Sequence, residues 1–468
     1  MTPVPFAGRL VMLGCGSIGQ GVLPLILRHI GIGPDHITVV SADDRGSDIA
    51  AQYGAMFMRT PLIRDNFRAT LGSLLKPGDF LLNLSVDVSS VALIEFCRDL
   101  GVLYLDTCIE PWAGGYTDPS LSASQRSNYA LRESALALTE HVAGTPTAVL
   151  THGANPGLVS HFVKQALLNM AADTGSATAV PASRDAWAEL ARTLEVKVIH
   201  IAERDTQTAN VPKRADEFVN TWSIDGFVGE GCQPAELGWG SHETTMPADG
   251  RRHEFGRGSA IYLDRPGAST RVRSWTPLEG PYHGFLVTHN ESISISDYYT
   301  IKDGNDVRYR PTVHYAYHPC DDAVLSLHEL AGKNWHIQSR QRLMMNEISD
   351  GADELGVLLM GNPKGVYWYG SRLSIGEARE LAPHNNATSL QVTASVLAGM
   401  IWAIENPARG IIEPDAMDHD RILQIVQPYL GEVVGVYSDW TPLTGRDGLF
   451  PEDVDPTCPW QFRNFRVV

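Results

Sequence analysis

The chain has 468 residues, 43% of them hydrophobic, which is enough for roughly two to four domains with well-buried cores. Its 37 Lys and Arg face 54 Asp and Glu, a formal net charge of -17 that argues against a nucleic-acid partner, whose phosphates such a surface repels. Cys15, Cys97, Cys108, Cys232, Cys320 and Cys458 form no C-x-x-C pair and have no histidine at ligand spacing. They read as reduced thiols, with no metal expected.

Residues 1 to 9 run straight into a strand-like segment with no basic-then-apolar leader. No run approaches about 18 continuous apolar residues, so a soluble, cytoplasmic protein without a membrane segment is expected. Short apolar runs follow in order: "LVMLG" at 10–14, "ITVV" at 37–40, "FLLNLS" at 80–85, "VLYLD" at 102–106 and "AVLTH" at 148–152. Helix-period segments lie between them, such as 89–100, where Ser89 or Ser90 can cap. This alternation predicts an α/β fold with a doubly wound parallel sheet over 1–152. From about 180 to 380 the texture changes to short extended segments, aromatics and Gly/Pro turns, which predicts a second, α+β domain over 153–383. A C-terminal part over 384–468 holds "SLQVTASVLAGMIWAIENP" at 389–407, apolar nearly all round and therefore expected to be buried against the first domain.

The first strand leads into "GCGSIGQG", with Gly14, Gly16 and Gly19 in G-x-G-x-x-G spacing and Ser17 and Ile18 opening the helix. The first glycine suits a tight turn, the second lets backbone approach a pyrophosphate, and the third permits close packing of helix on strand. A dinucleotide cofactor is expected here, NAD in preference to NADP. Its ribose acid is assigned to Asp43 in "VVSADDR", slightly late in the sequence and beside Arg45, which would suit NADP if it faced the ribose instead. Asn83 and Ser85, at the end of the third strand, fall where open α/β sheets place ligands.

Several polar residues have a structural reading of equal standing. Asn155 before the apolar face Val159, Phe162, Val163, Ala166, Leu167 and Met170 is a natural N-cap. Glu110 follows a strand edge. "HIAERDTQ" at 200–207 reads as a solvated charge cluster, "VTHNESISI" at 287–295 as a strand, and 220–231, "NTWSIDGFVGEG", as a stretch without helix period.

Taken together, "GCGSIGQG", "NLSVDVSS", "DTCIEPW", "SNYALRE", "GANPGLVS", "HIAERDTQ", "VNTWSIDGFVGEG", "QPAELGWG", "TRVRSWTP", "FLVTHNESISI", "YRPTVHYAYHPC", "DELGVLL", "NATSLQVTASVLAG" and "GLFPEDVD" occur in one order along residues 9–466. In this the chain resembles the bacterial homospermidine synthase family, itself similar to saccharopine dehydrogenases. The resemblance implies a Rossmann-type domain with a second catalytic domain, a homodimer, and NAD held as a recycled redox group. It implies oxidation of putrescine to an imine, condensation with a second putrescine with loss of ammonia, and re-reduction to homospermidine; spermidine can donate the aminobutyl group, releasing 1,3-diaminopropane. It further implies that Trp222 guides the cationic amine, that Glu230 holds the outer ammonium, that Glu203, Asn155 and His289 surround the reacting nitrogen, and that Glu110 and Asp87 help. A base is needed because hydride leaves only from a neutral amine; Glu203 and His289 both fit. The chain departs from the family pattern at "VVSADD", which bears on cofactor preference alone. A competing expectation is a carboxynorspermidine or saccharopine-type NAD(P)-dependent reductase, which would need arginines for an amino-acid carboxylate; Arg271 and Arg273 could supply them. Glu236 reads as scaffold.

Overall fold

A computed structural model describes residues 2–467 apart from 141–143, 177–178, 447, 449 and 451. Leu449 and Pro451 of the "GLFPEDVD" stretch therefore lie outside the described residues. Leu10–Leu13, Ile37–Ser41, Met56–Arg59, Phe80–Asn83, Leu103–Asp106 and Ala148–Val149 are strands, all parallel to their neighbours. Their spatial order places Leu10–Leu13 between Ile37–Ser41 and Phe80–Asn83. The chain reverses its winding direction at the last of these pairs, so a crevice opens beyond the carboxyl ends of Leu10–Leu13 and Phe80–Asn83. The helix Ser90–Leu100 starts where Ser89 accepts a hydrogen bond from the Ala92 N–H at 3.4 Å and stops at Gly101, whose φ of 80° ends it in the left-handed region.

The second sheet has ten strands and is mixed. Val198–Asp205 runs through its middle, parallel to Thr312–His318 and antiparallel to Ala352–Met360. The C-terminal segment enters both sheets: Ile411–Ile412 pairs with Ala148–Val149 as a seventh parallel strand, and Glu432–Ser438 edges the second sheet. Helix Ala387–Glu405 has the length and composition of a membrane span, yet 89% of its apolar window is buried inside the fold. It packs on Ser17–His29, on Leu103–Asp106 and on Ala352–Met360 and Val366–Ser374.

Four local expectations are corrected. Residues 287–295 are not a strand: the strand Gly280–Phe285 ends first, and Asn290–Tyr298 is a helix. Residues 290–297 are all buried, so no polar face was present to reveal the 3.6 period, and the Ser-Ile alternation mimicked period 2. Residues 220–231 hold all but the last residue of the helix Ile224–Cys232, started by Ser223, whose side chain accepts from the Gly226 N–H, and by Asp225 in the first turn; Gly226, Gly229 and Gly231 dilute its period. Glu203, Arg204 and Asp205 are not a solvated cluster, because the central strand that carries them is buried along its whole length. Asn155 is not a helix cap, since the helix Leu158–Thr174 begins three residues beyond it with Gly157 at the cap position.

Candidate active site

Two connected hollows lie where the sheets meet. The larger, a cleft of ≈ 600 Å³, runs along Leu13, Gly14, Cys15 and Gly16, past Ser41, Asp43 and Arg45, to Ser85 and Asp87. A Cβ on Gly14, where φ is +85°, would meet the Leu84 carbonyl oxygen at 2.7 Å, and one on Gly19 would meet the Gly14 carbonyl oxygen at 2.7 Å. Both glycines are thus required by the chain's own packing. A Cβ on Gly16 would meet nothing within 4 Å, so the space above it is left open by the protein. The helix Ser17–His29 begins there with no side-chain cap, and its free N–H groups and positive end face that space, which suits a pyrophosphate. Asp43 and Arg45 stand together on the rim, with the Arg45 Nε donating to Asp43 Oδ2 at 2.7 Å. Burial pushes the Asp43 carboxyl upward slightly, but the hydrogen bonds from Arg45 outweigh that and hold it below its ordinary value.

The smaller pocket, ≈ 140 Å³, opens off the cleft and shares Leu84, Ser85, Val86 and Ser223 with it. Ile18, Glu110, Asn155, Glu203, Trp222, Glu230, His289, Tyr315 and Thr388 are among its walls. Glu203 comes from the central strand and is buried. Its Oε2 accepts from the Asn155 amide at 2.9 Å and from the Tyr315 hydroxyl, whereas Oε1 receives no hydrogen bond among the described residues. Burial pushes the carboxyl up, the Tyr315 hydrogen bond pulls it back and the Asp205 charge raises it again, leaving Glu203 at about 7.

Glu110 is fixed at the foot of the helix Ser90–Leu100: its N–H donates to Ser90 Oγ at 3.0 Å and its carbonyl accepts from the Ser90 N–H at 2.9 Å. Burial raises its carboxyl to about 7, against a hydrogen bond from the Cys108 thiol. His289 precedes the helix Asn290–Tyr298 and lies between two carboxylates, with Nε2 3.0 Å from Glu230 and Nδ1 3.2 Å from Glu291. Burial alone would lower the imidazole, but Glu230 and Glu291 overcome it and hold His289 well above its ordinary value, as the imidazolium. Trp222 is half-buried, donates Nε1–H to the Tyr317 hydroxyl at 3.0 Å and leans on Phe227, with centroids 5.0 Å apart.

The structure therefore brings together Asn155, Glu203, Trp222, Glu230, His289, Glu110, Ser85 and Ile18 in one pocket. Asp87 is exposed and lines the cleft instead, joined to the pocket by a 3.5 Å hydrogen bond from its N–H to Glu110. Asn83 lines neither hollow; it is buried beneath Ser85, whose N–H and hydroxyl both donate to it. Ser17 and Gly19 also sit inside the fold and line neither. Tyr315, Tyr317 and Thr388 were not singled out from sequence; the alternation in "VHYAYH" puts both tyrosines on one face of a strand and was a usable signal. Glu236 accepts from the N–H groups of Asn128 and Tyr129 at 2.9 and 3.2 Å, serving the start of the helix Asn128–Ala137. No Lys or Arg lines the pocket among the described residues. Arg271 contacts His328 and Arg273 pairs with Glu452 elsewhere on the molecule.

A parallel sheet with a glycine-rich turn, joined to a mixed sheet that walls a pocket of buried carboxyl groups, is the layout of a two-domain, dinucleotide-binding enzyme. Family models agree: residues 10–149 match the saccharopine dehydrogenase NADP binding domain and residues 153–437 the saccharopine dehydrogenase C-terminal domain. The chain is 56% identical to a homospermidine synthase of Blastochloris viridis, covering 98% of this chain and 97% of that one. It is 52% identical to a homospermidine synthase of Mesorhizobium japonicum, covering 98% and 96%. The crystal structure of a homospermidine synthase from Legionella pneumophila in complex with NAD superposes with a TM-score of 0.94 at 50% identity, covering 100% of this chain and 99% of that one. The chain belongs to the homospermidine synthase family.

Proposed function

We propose that this chain joins two putrescines, or spermidine and putrescine, into homospermidine at the smaller pocket, releasing ammonia or 1,3-diaminopropane, as a cytoplasmic homodimer. The observation that carries this reading is the pocket's charge: Glu110, Glu203 and Glu230 beside an indole, with His289 paired to Glu230 and no Lys or Arg on its walls among the described residues. An alkyl ammonium needs carboxylates and favours an aromatic face, whereas an amino-acid carboxylate needs a guanidinium. The cleft fits NAD, with Gly14, Gly16 and the start of the helix Ser17–His29 around the pyrophosphate and Asp43 or Arg45 at the ribose; bound there, its nicotinamide removes and later returns hydrogen with its electron pair.

The remaining chemistry falls to this chain's side chains. Glu203, its carboxyl raised to about 7 and its Oε1 without a donor among the described residues, takes the proton of the reacting ammonium. His289 is already an imidazolium and does not compete for that proton; it fixes Glu230. Asn155 and Tyr315 orient the Glu203 carboxylate, Trp222 faces the cationic chain, and Glu230 and Glu110 receive the outer ammonium.

Incubation with putrescine and catalytic NAD+ tests this, following homospermidine by mass spectrometry and NADH by absorbance. Homospermidine without accumulating NADH is the expected result; stoichiometric NADH or no diamine chemistry would return the protein to an ordinary dehydrogenase of this fold. Glu230→Gln is expected to raise the KM for putrescine roughly tenfold, the loss of one charge-assisted contact, with NAD affinity measured by titration unchanged.

A further inference from the structure

Behind the Glu203 wall, three carboxyl groups share one face of the second sheet. Glu203 and Asp205 are two residues apart on the strand Val198–Asp205, and Asp353 lies directly across from Asp205 on Ala352–Met360. All three are buried. Thr388, in the first turn of the helix Ala387–Glu405, lines the pocket and also reaches this layer: its hydroxyl accepts from the Gln207 amide at 2.9 Å and lies 3.5 Å from Asp205 Oδ2. Asp205 further accepts from the Thr221 hydroxyl at 2.6 Å and from the Gln207 N–H at 2.8 Å. Among the described residues neither carboxyl oxygen of Asp353 receives a hydrogen bond, though the Thr388 hydroxyl is near enough to favour its ionised form.

We propose that the pocket has a second proton outlet, through the Thr388 hydroxyl to Asp205, beside the direct one to Glu203. The inference rests on the diamine reading above, whose proton balance calls for two acceptors at one place. The first ammonium gives up a proton, to Glu203, before its carbon can lose hydrogen with an electron pair and become an iminium. The second diamine's ammonium must also become neutral before its nitrogen can form the new C–N bond. Its proton passes to Thr388 Oγ while the hydroxyl's own hydrogen passes to Asp205. A proton then moves between the two nitrogens on the shared carbon, the C–N bond to ammonia breaks, and the new iminium takes back the hydrogen and its electron pair. Ammonia and the new secondary amine recover the two stored protons, so nothing is left over.

Both recovering nitrogens were bonded to the carbon held at Glu203, so the store belongs at that end. Glu110 faces Glu230 and Asp87 instead. The groups facing the store are Arg204 beside Asp205, Tyr317 and Cys320 from the neighbouring strand and its end, and Glu354 beside Asp353; from the helix Ala387–Glu405 come the Thr388 hydroxyl and the Gln391 amide, which donates to the Asp353 carbonyl oxygen at 3.3 Å. Burial first, then the charges of Glu203 and Asp205, push the Asp353 carboxyl well above its ordinary value, which favours its uncharged form behind Asp205.

Thr388→Val keeps the side chain's shape and removes the hydroxyl; Thr388→Ser keeps the hydroxyl and loses a methyl. In single turnovers with putrescine and NAD+, Thr388→Val is expected to form reduced cofactor at the parent rate and to release homospermidine at least tenfold more slowly, so that absorbance of the reduced cofactor persists. Thr388→Ser is expected to stay within about threefold of the parent in both phases. Equal product release in parent and Thr388→Val, or a serine variant as slow as the valine one, overturns the outlet. Where Thr388→Val lowers the melting temperature, Asp205→Asn must show the same split between the two phases, and its absence also overturns the proposal. A parent enzyme that makes no homospermidine would instead sink the diamine reading itself.

Discussion

Glu203→Gln is expected to lower kcat by roughly 100- to 10,000-fold, the span that a positioned general base contributes. Glutamine preserves the side chain's shape and its bonds to Asn155 and Tyr315 but cannot take a proton. In the unaltered protein, kcat/KM should rise with pH through about 7, because the folded carboxyl is pushed up to that value and only its ionised form accepts the substrate's proton. The sign follows from the direction of the shift: below that pH the base is already protonated. His289 contributes no rising limb there, since its neighbours keep it charged across that range. A limb that persists unchanged in Glu203→Gln would move the base to Glu110, the other pocket carboxyl raised to about 7.

Trp222→Ala is expected to reduce kcat/KM for putrescine by roughly 30-fold, the ~2 kcal/mol upper range for a desolvated cation over an indole. Trp222→Phe should recover part of that loss, because it keeps an aromatic face but drops the Nε1–H donated to Tyr317. Circular dichroism should show both variants folded, as the ring is only half-buried. A rate in Trp222→Ala equal to that of the unaltered protein would make the indole a packing residue.

Local chemistry was legible where a residue's role depends on its neighbours in sequence. Gly14 and Gly19 announce a tight turn because their own backbone and nearest strands demand it, and the parallel strands announce themselves by short apolar runs separated by capped helices. Legibility failed where burial is complete. Helix Asn290–Tyr298 has no wet face, so serine and isoleucine alternate there without meaning a strand. Glu203 and Asp205 looked like surface charge because charged residues are mostly exposed; only the flanking strands, which lie far away in sequence, bury them. Thr388 was hidden for a related reason: it opens a helix so apolar that one hydroxyl within it carries no periodic signal, and its importance rests on Gln207 and Asp205, which the chain reaches 181 and 183 residues earlier.

The helix Ala387–Glu405 also bears on how the molecule can move. It lies between the helix that starts at the glycine turn and the strands that wall the pocket, and its Leu390, Leu397 and Ile401 are buried in the core. Prising the two sheets apart at this seam would wet those side chains, at about 1.5 to 3 kcal/mol for each aliphatic one. The helix is therefore a bolt that holds the halves at fixed spacing. The pocket opens off the same cleft, so a dinucleotide seated there would stay beside the reacting site without the two halves having to part between cycles. Such an arrangement suits a redox partner that ends every cycle in the state in which it began and has no reason to be exchanged.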